Sequence, residues 1–179
     1  MRNEQTVGRL LLPVVLLCIA TLVSCGAVAV LSLSIATRSI AQLSDQIRPA
    51  AMANEQVLID HLDAETGIRG WGLTGEESAL APYNRATQRL PSDLRVLEEF
   101  ASDQPRLAGP AAELSAASRA WIEEYAEVRL DRPAGQSGYD PRLFAGGQQR
   151  FERIRSAHDG LRVAFEEIIA DARAEFRAR

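Results

Sequence analysis

The sequence predicts an all-α protein: an N-terminal transmembrane helix followed by an up-down-up-down four-helix bundle. Three observations predict it. No charged residue interrupts Leu10–Thr37. From Thr37 onward, apolar residues recur at alternating steps of three and four in four successive blocks. No segment shows the period-two alternation that marks a half-buried strand.

The uncharged run is about 28 residues, or ~42 Å as a helix, which exceeds the ~30 Å hydrocarbon core of a bilayer. A cleavable signal peptide has a shorter apolar region of about 7–15 residues. The rival to both is a lipoprotein box, Leu22-Val23-Ser24-Cys25 followed by Gly26. Ala27–Ala36 stays apolar past that cysteine, where a lipidated chain normally turns polar. The expected division is therefore a short cytoplasmic tail over 1–9, a transmembrane helix over 10–37 and an extracytoplasmic four-helix domain over 38–179. Orientation is not decided by flanking charge, because Arg2 and Arg9 oppose Arg38 and Arg48. The long domain is expected outside because large domains translocate largely regardless of such a tie. Ala20, Ser24, Cys25 and Ala29 either let two such helices approach closely or simply face lipid.

The first block reads Ile40, Leu43, Ile47, Ala50, Val57, Ala64, Ile68, Trp71. It ends at Leu73-Thr74-Gly75, a turn in which Thr74 is placed to cap the next helix ahead of Glu76 and Glu77. The second block is Leu80, Tyr83, Leu90, Leu94, Leu97, with Pro82 near its start. Ser102-Asp103-Gln104-Pro105 offers a cap and a first-turn proline for the third, Leu107, Ala111, Leu114, Trp121, Tyr125, Val128. The Pro- and Gly-rich stretch Asp131–Gly138 separates it from the fourth, Phe144, Phe151, Ile154, Leu161, Phe165, Ile168, Ala172. Pro49 and Pro91 fall inside helical patterns and are expected to bend or break them. Four amphipathic stripes of similar length bury one another in a bundle. The Thr74-Gly75 turn then lies at the tip far from the membrane.

Composition narrows the function. All 20 basic residues are Arg, set against 24 acidic ones, and aromatics are 6% of the chain. No basic surface announces nucleic acid. Both cysteines, Cys18 and Cys25, sit in the apolar run, so the remainder has no disulfide and no thiolate metal site.

The densest chemistry lies in Asp63–Tyr83. Glu65 and Arg69 are spaced i,i+4 and can pair, flanked by Asp63 and Thr66. A polar cluster that senses a ligand and an internally satisfied helix end both fit this pattern. Gly67, Gly70 and Gly72 each cost about 1 kcal/mol relative to Ala inside a helix, which points to close packing or a local break. His61 and His158 occupy heptad positions, but neither has Glu three residues before it and no further N or S ligands accompany them. Packed histidines are expected, with no metal and no cofactor. Gly146-Gly147-Gln148 is too slight to cradle a phosphate and reads as a close helix approach or a helix start. Glu98-Glu99, Glu123-Glu124 and Glu166-Glu167 read as solvated faces. No phosphate loop, nucleophile elbow or zinc-protease motif occurs, so no enzyme is expected.

Asp63–Gly67, Arg69-Gly70, Leu73-Thr74-Gly75, Glu77-Ser78 and Pro82-Tyr83 closely resemble the signature of the third CHASE family, the extracellular sensory domains of bacterial histidine kinases and cyclases. A weaker second match runs from Gly146-Gly147-Gln148 to Phe151 and Ile154. The resemblance covers about Ile40 to Phe176. It implies an extracytoplasmic four-helix sensory bundle between two membrane helices, followed by cytoplasmic signalling modules. It also implies that Asp63, Glu65, Thr66, Gly67, Arg69, Gly70, Leu73, Thr74, Gly75, Ser78, Pro82 and Tyr83 are structural or sensory motif residues. Ile68, Gly72 and Ala81 depart from the family pattern. After Phe176 the chain runs only to Arg177-Ala178-Arg179, without a second apolar segment or a kinase.

The expected function is therefore a membrane-anchored signal-input module. Its expected partners are the membrane, a second copy of itself, a separately encoded histidine kinase or other signalling protein, and an unidentified small ligand or protein. The alternative is an anchored or Cys25-lipidated interaction module without signalling output.

Overall fold

The computed structural model describes residues 21–26, 47–135 and 138–178. The chain divides into two compact units, Met1–Leu43 with Arg179, and Ser44–Ala178. In the first unit, residues 21–26 form a helical segment with exposed side chains, the free thiol of Cys25 among them. The rest of the 10–37 span, and Ile40 and Leu43 of the first apolar block, lie outside the described residues. Among the described residues no helix is long and apolar enough to cross a membrane.

The second unit is helical throughout, with no strand among its described residues. Helix α1 covers 47–74. A 3-10 turn at Glu77–Leu80 leads into α2, Ala81–Ser102. Helix α3 begins as Pro105–Trp121, widens into a π-helical turn at Ile122–Ala126 and resumes over Glu127–Leu130. Helix α4 is Pro141–Ala178.

One core joins the four. On α1 the inward stripe is Ile47, Ala50, Asn54, Val57, His61, Ala64 and Ile68, all buried and stepping by three and four. Leu90 and Leu97 of α2, Leu107 and Leu114 of α3, and Ile154 and Leu161 of α4 are buried likewise. Trp121 is fully buried and edges against three rings: His61 at 5.7 Å, Phe151 at 6.0 Å and Tyr125 at 5.4 Å between centroids. Trp71, Leu80, Leu94, Phe144, Ile168 and Ala172 are only partly covered.

Three local expectations are corrected in whole or in part. Of the bend or break expected at Pro91, the break does not occur, and α2 continues through it. Burial of Leu90 and Leu97 on either side holds the helix across the lost N–H. Ser102 does not cap α3: its hydroxyl donates back to Glu99 O at 2.7 Å, and α3 opens from Gln104 with Pro105 in its first turn and no side-chain cap. Val128 is exposed rather than buried. The π turn inserts one residue into the helical repeat, so the inward stripe passes through Tyr125 and Ala126 and rotates Val128 outward.

Candidate functional site

The motif residues gather where α1 turns into α2. Gly75 takes φ +72°, a left-handed conformation that favours glycine, and its N–H donates to Trp71 O at 2.8 Å, ending α1. Thr74 completes the turn but does not cap the next helix as expected, because the 3-10 turn intervenes and neither it nor α2 has a side-chain cap. The Thr74 hydroxyl donates to Gly70 O at 2.9 Å and accepts the Glu76 N–H at 3.1 Å.

The three helical glycines each answer to a different neighbour. A Cβ on Gly67 would stand 2.8 Å from Tyr83 N, and one on Gly70 would stand 3.3 Å from the Ala79 methyl. Both therefore seat the 3-10 turn and the start of α2 against α1. Gly72 leaves room for Arg129, whose guanidinium lies 4.9 Å from the centre of the Trp71 ring. The Gly72 carbonyl accepts the N–H of Gly135 at 2.8 Å, and Gly75 packs on Ala134. The α3–α4 loop is thus fastened to the same tip.

The charged residues divide into two groups. Glu65 and Arg69 pair at 2.7 Å, as their spacing predicts, and Arg69 also lies 5.7 Å from the centre of the Phe144 ring. Asp63 instead stands 3.4 Å from Arg89, whose principal partner is Asp60 at 2.5 Å. The Asp60 side chain is fully buried and also takes a hydrogen bond from Gln56 at 3.0 Å. Burial and the nearby Asp60 push the Asp93 carboxyl upward, and Arg89 only partly offsets them. Thr66 donates to Leu62 O in the open, Ser78 reaches only its neighbour Glu76 at 3.5 Å, and Leu73 is 83% exposed. Pro82 lies in the first turn of α2 and Tyr83 is buried beneath it.

A second polar set lies in the core. His61 Nδ1 stands 2.8 Å from Val57 O, a pure acceptor, so Nδ1 carries the proton. Nε2 is then the acceptor for the Ser118 hydroxyl at 3.1 Å. Burial lowers the His61 pKa from its ordinary value, and hydrogen bonding and Asp60 oppose that only in part, so the ring is neutral. Asn54 donates to His158 O at 3.1 Å, while the His158 ring lies 3.3 Å from Glu55. Both histidines are packed within helix interfaces, and among the described residues no three His, Cys, Asp or Glu side chains converge to hold a metal.

Sequence reasoning missed Asn54, Asp60 and Ser118. Asn54 and Ser118 fall on the three-four stripes of α1 and α3, and that placement was the available signal. It also missed Asp140, which caps α4 by accepting the N–H of Arg142 at 2.8 Å and of Leu143 at 3.3 Å. Arg132, at 2.8 Å, is the largest cause that holds the Asp140 carboxyl below its ordinary pKa. The Asp-Pro pair opening α4 was the signal there.

A family model described as CHASE3 domain matches residues 40–175. The family is a sensory, extracellular-type domain and not a catalytic one. No curated protein matches the chain, and no solved structure does.

Proposed function

The chain belongs to the CHASE3 domain family, and we propose that it is the signal-input module of a membrane-anchored extracytoplasmic receptor of the histidine-kinase type. The observation that carries the reading is the tip. The family motif supplies the glycines through which α1, the start of α2 and the α3–α4 loop approach one another. A shift at any of these elements is passed to α1, and the uncharged run Leu10–Thr37 precedes α1 in sequence. The output is then a small piston or rotation of α1, delivered to a separately encoded kinase or other signalling protein.

Partner order supports reading the helices as an up-down-up-down bundle. Asp60 meets Arg89 whereas Gly67 meets Tyr83, so α2 runs backward along α1. Arg106 meets Asp171 whereas Glu124 meets Arg150, so α4 runs backward along α3. A second copy is the proposed partner along α1. Met52, Ile59 and Leu73 are exposed at multiples of seven residues, with Leu62 between them, and a copy of the same helix matches that repeat. Sedimentation of the full chain is expected to show a dimer that Ile59→Glu with Leu62→Glu dissociates; an unchanged mass would remove α1 as the interface.

A reporter enzyme that works only outside the cytoplasm, fused after Arg179, is expected to be active. Strong activity from a reporter that needs the cytoplasm would overturn the orientation. The alternative, a lipidated interaction module, is favoured by the Leu22–Cys25 box and the exposed Cys25 thiol. Mass measurement of the membrane-extracted protein separates them: loss of the residues before Cys25 plus an added lipid mass selects the lipoprotein.

A further inference from the structure

A groove of about 370 Å³ runs between α2 and α3 on the flank of the bundle, within the usual range of ~300–1,000 Å³ for small-ligand sites. One wall is apolar, formed by Leu90, Pro91, Leu94 and Ile122. The hydroxyls of the lining share one chemical sense. Thr87 donates its hydroxyl to Tyr83 O, Ser115 donates to Glu98 at 2.8 Å, and Ser118 donates to His61. All three hydroxyl hydrogens are therefore committed to the protein, and what these groups present to the groove is oxygen lone pairs. Glu98, Glu123 and Glu127 line it with three carboxylates against two guanidiniums, Arg95 and Arg119. Among the described residues, Glu123, Glu127 and Arg119 form no ion pair, while Arg95 stands 3.9 Å from Glu99, outside the lining, so the unpaired charges are two carboxylates against one guanidinium. An anion would meet acceptors at the floor and excess negative charge around it; a cation with N–H donors meets partners in both places.

Ser118 also touches the core. It is 2% exposed, lines the groove and hydrogen-bonds His61, a fully buried residue of α1. We propose that the α2–α3 groove binds a small organic ammonium compound. Its alkyl body lies on the apolar wall and its ammonium is held by Glu98, Ser115 and Ser118, so that Ser118 reports occupancy to α1 through His61. This names a ligand class for the sensory role proposed above and rests on that role for its purpose.

The test uses the full chain, with hexylammonium as probe and hexanol as its neutral counterpart, read by titration calorimetry and by the NMR signals of the His61 ring nitrogens. Hexylammonium is expected to bind saturably and shift the His61 signals, with hexanol doing neither. Glu98→Gln, which keeps an acceptor for Ser115, is expected to weaken binding about tenfold, since the charge on the acceptor is lost. Glu123→Gln is expected to weaken it less, and Glu99→Gln, outside the groove, not at all. Circular dichroism checks that each variant folds, and Glu123→Gln serves if Glu98→Gln does not. Equal binding of hexanol, or equal effects of Glu98→Gln and Glu99→Gln, would overturn the ammonium site. Binding without any His61 shift would overturn the link to α1. Binding is read here without signalling output, so failure of hexylammonium to bind overturns the site alone. The reporter fusion tests the sensory placement separately.

Discussion

The backbone of Tyr83 occupies the space that a side chain at residue 67 would need: a Cβ on Gly67 would stand 2.8 Å from Tyr83 N and 3.0 Å from Tyr83 Cβ. The obstacle is backbone, which cannot rotate away as the end of a flexible side chain can. Gly67→Ala is expected to lower stability by up to about 2 kcal/mol, because overpacking of ~1–3 kcal/mol outweighs the helix-propensity gain of ~1 kcal/mol. Gly160 on α4 is the control, since a Cβ there meets nothing within 4 Å. Gly160→Ala is expected to stabilise by roughly 0.5–1 kcal/mol. Urea unfolding of both variants checks the pair, and a stable Gly67→Ala protein would remove the close approach as the reason for this motif glycine.

A similar contact ties α4 to the π turn. A Cβ on Gly147 would collide with two ring carbons of Tyr125. Gly147→Ala is expected to displace that ring from Trp121 and to destabilise by about 1–3 kcal/mol. Tyr125→Leu in the same background is expected to recover part of the loss. A double-mutant cycle gives the coupling, and simple additivity would contradict the contact.

His61 makes stability depend on pH in a defined direction. Its folded pKa lies below the ordinary 6.5 because burial disfavours the imidazolium. Between the folded and unfolded values the unfolded chain binds the extra proton. Stability from this residue is therefore complete above about pH 6.5, falls as the pH drops toward the folded pKa, and levels off below it. Unfolding midpoints across that window, compared with those of His61→Gln, isolate the contribution. A slope that is identical in the variant would assign it to other groups.

Arg89 neutralises a carboxylate that has no exposure of its own. Arg89→Ala is expected to destabilise, because Asp60 is left charged and buried with Asp93 nearby. Adding Asp60→Asn is expected to restore part of that stability by removing the stranded charge. If the double variant is no more stable than Arg89→Ala alone, the loss belongs to the packing of the Arg89 stem and not to its charge.

Much of this arrangement is legible in the sequence. The α1 stripe from Ile47 to Ile68, the Thr74-Gly75 turn and the Glu65–Arg69 pair follow from spacing and local backbone chemistry, which act within one or two helical turns. The glycines of α1 were legible as places of close approach, but not their partners. That Gly67 faces Tyr83, that Gly72 faces Arg129 and that Asp63 lies beside Arg89 rather than Arg69 depends on how separate helices dock. The π turn at Ile122–Ala126 was hidden for the same reason. Burial of both Tyr125 and Ala126 accompanies the wider turn, and no local propensity asks for one.

By itself, then, the sequence determined a helical chain, the inward stripe of α1, the tip turn and the family, because periodicity, glycine geometry and motif order are properties of neighbouring residues. Only the tertiary structure decided which helices meet at which residues. It placed His61 neutral against Ser118 and put the acceptor-lined groove beside them. Those outcomes depend on desolvation and hydrogen bonding between groups 57 residues apart or similarly remote, and such energies exist only once the helices are packed.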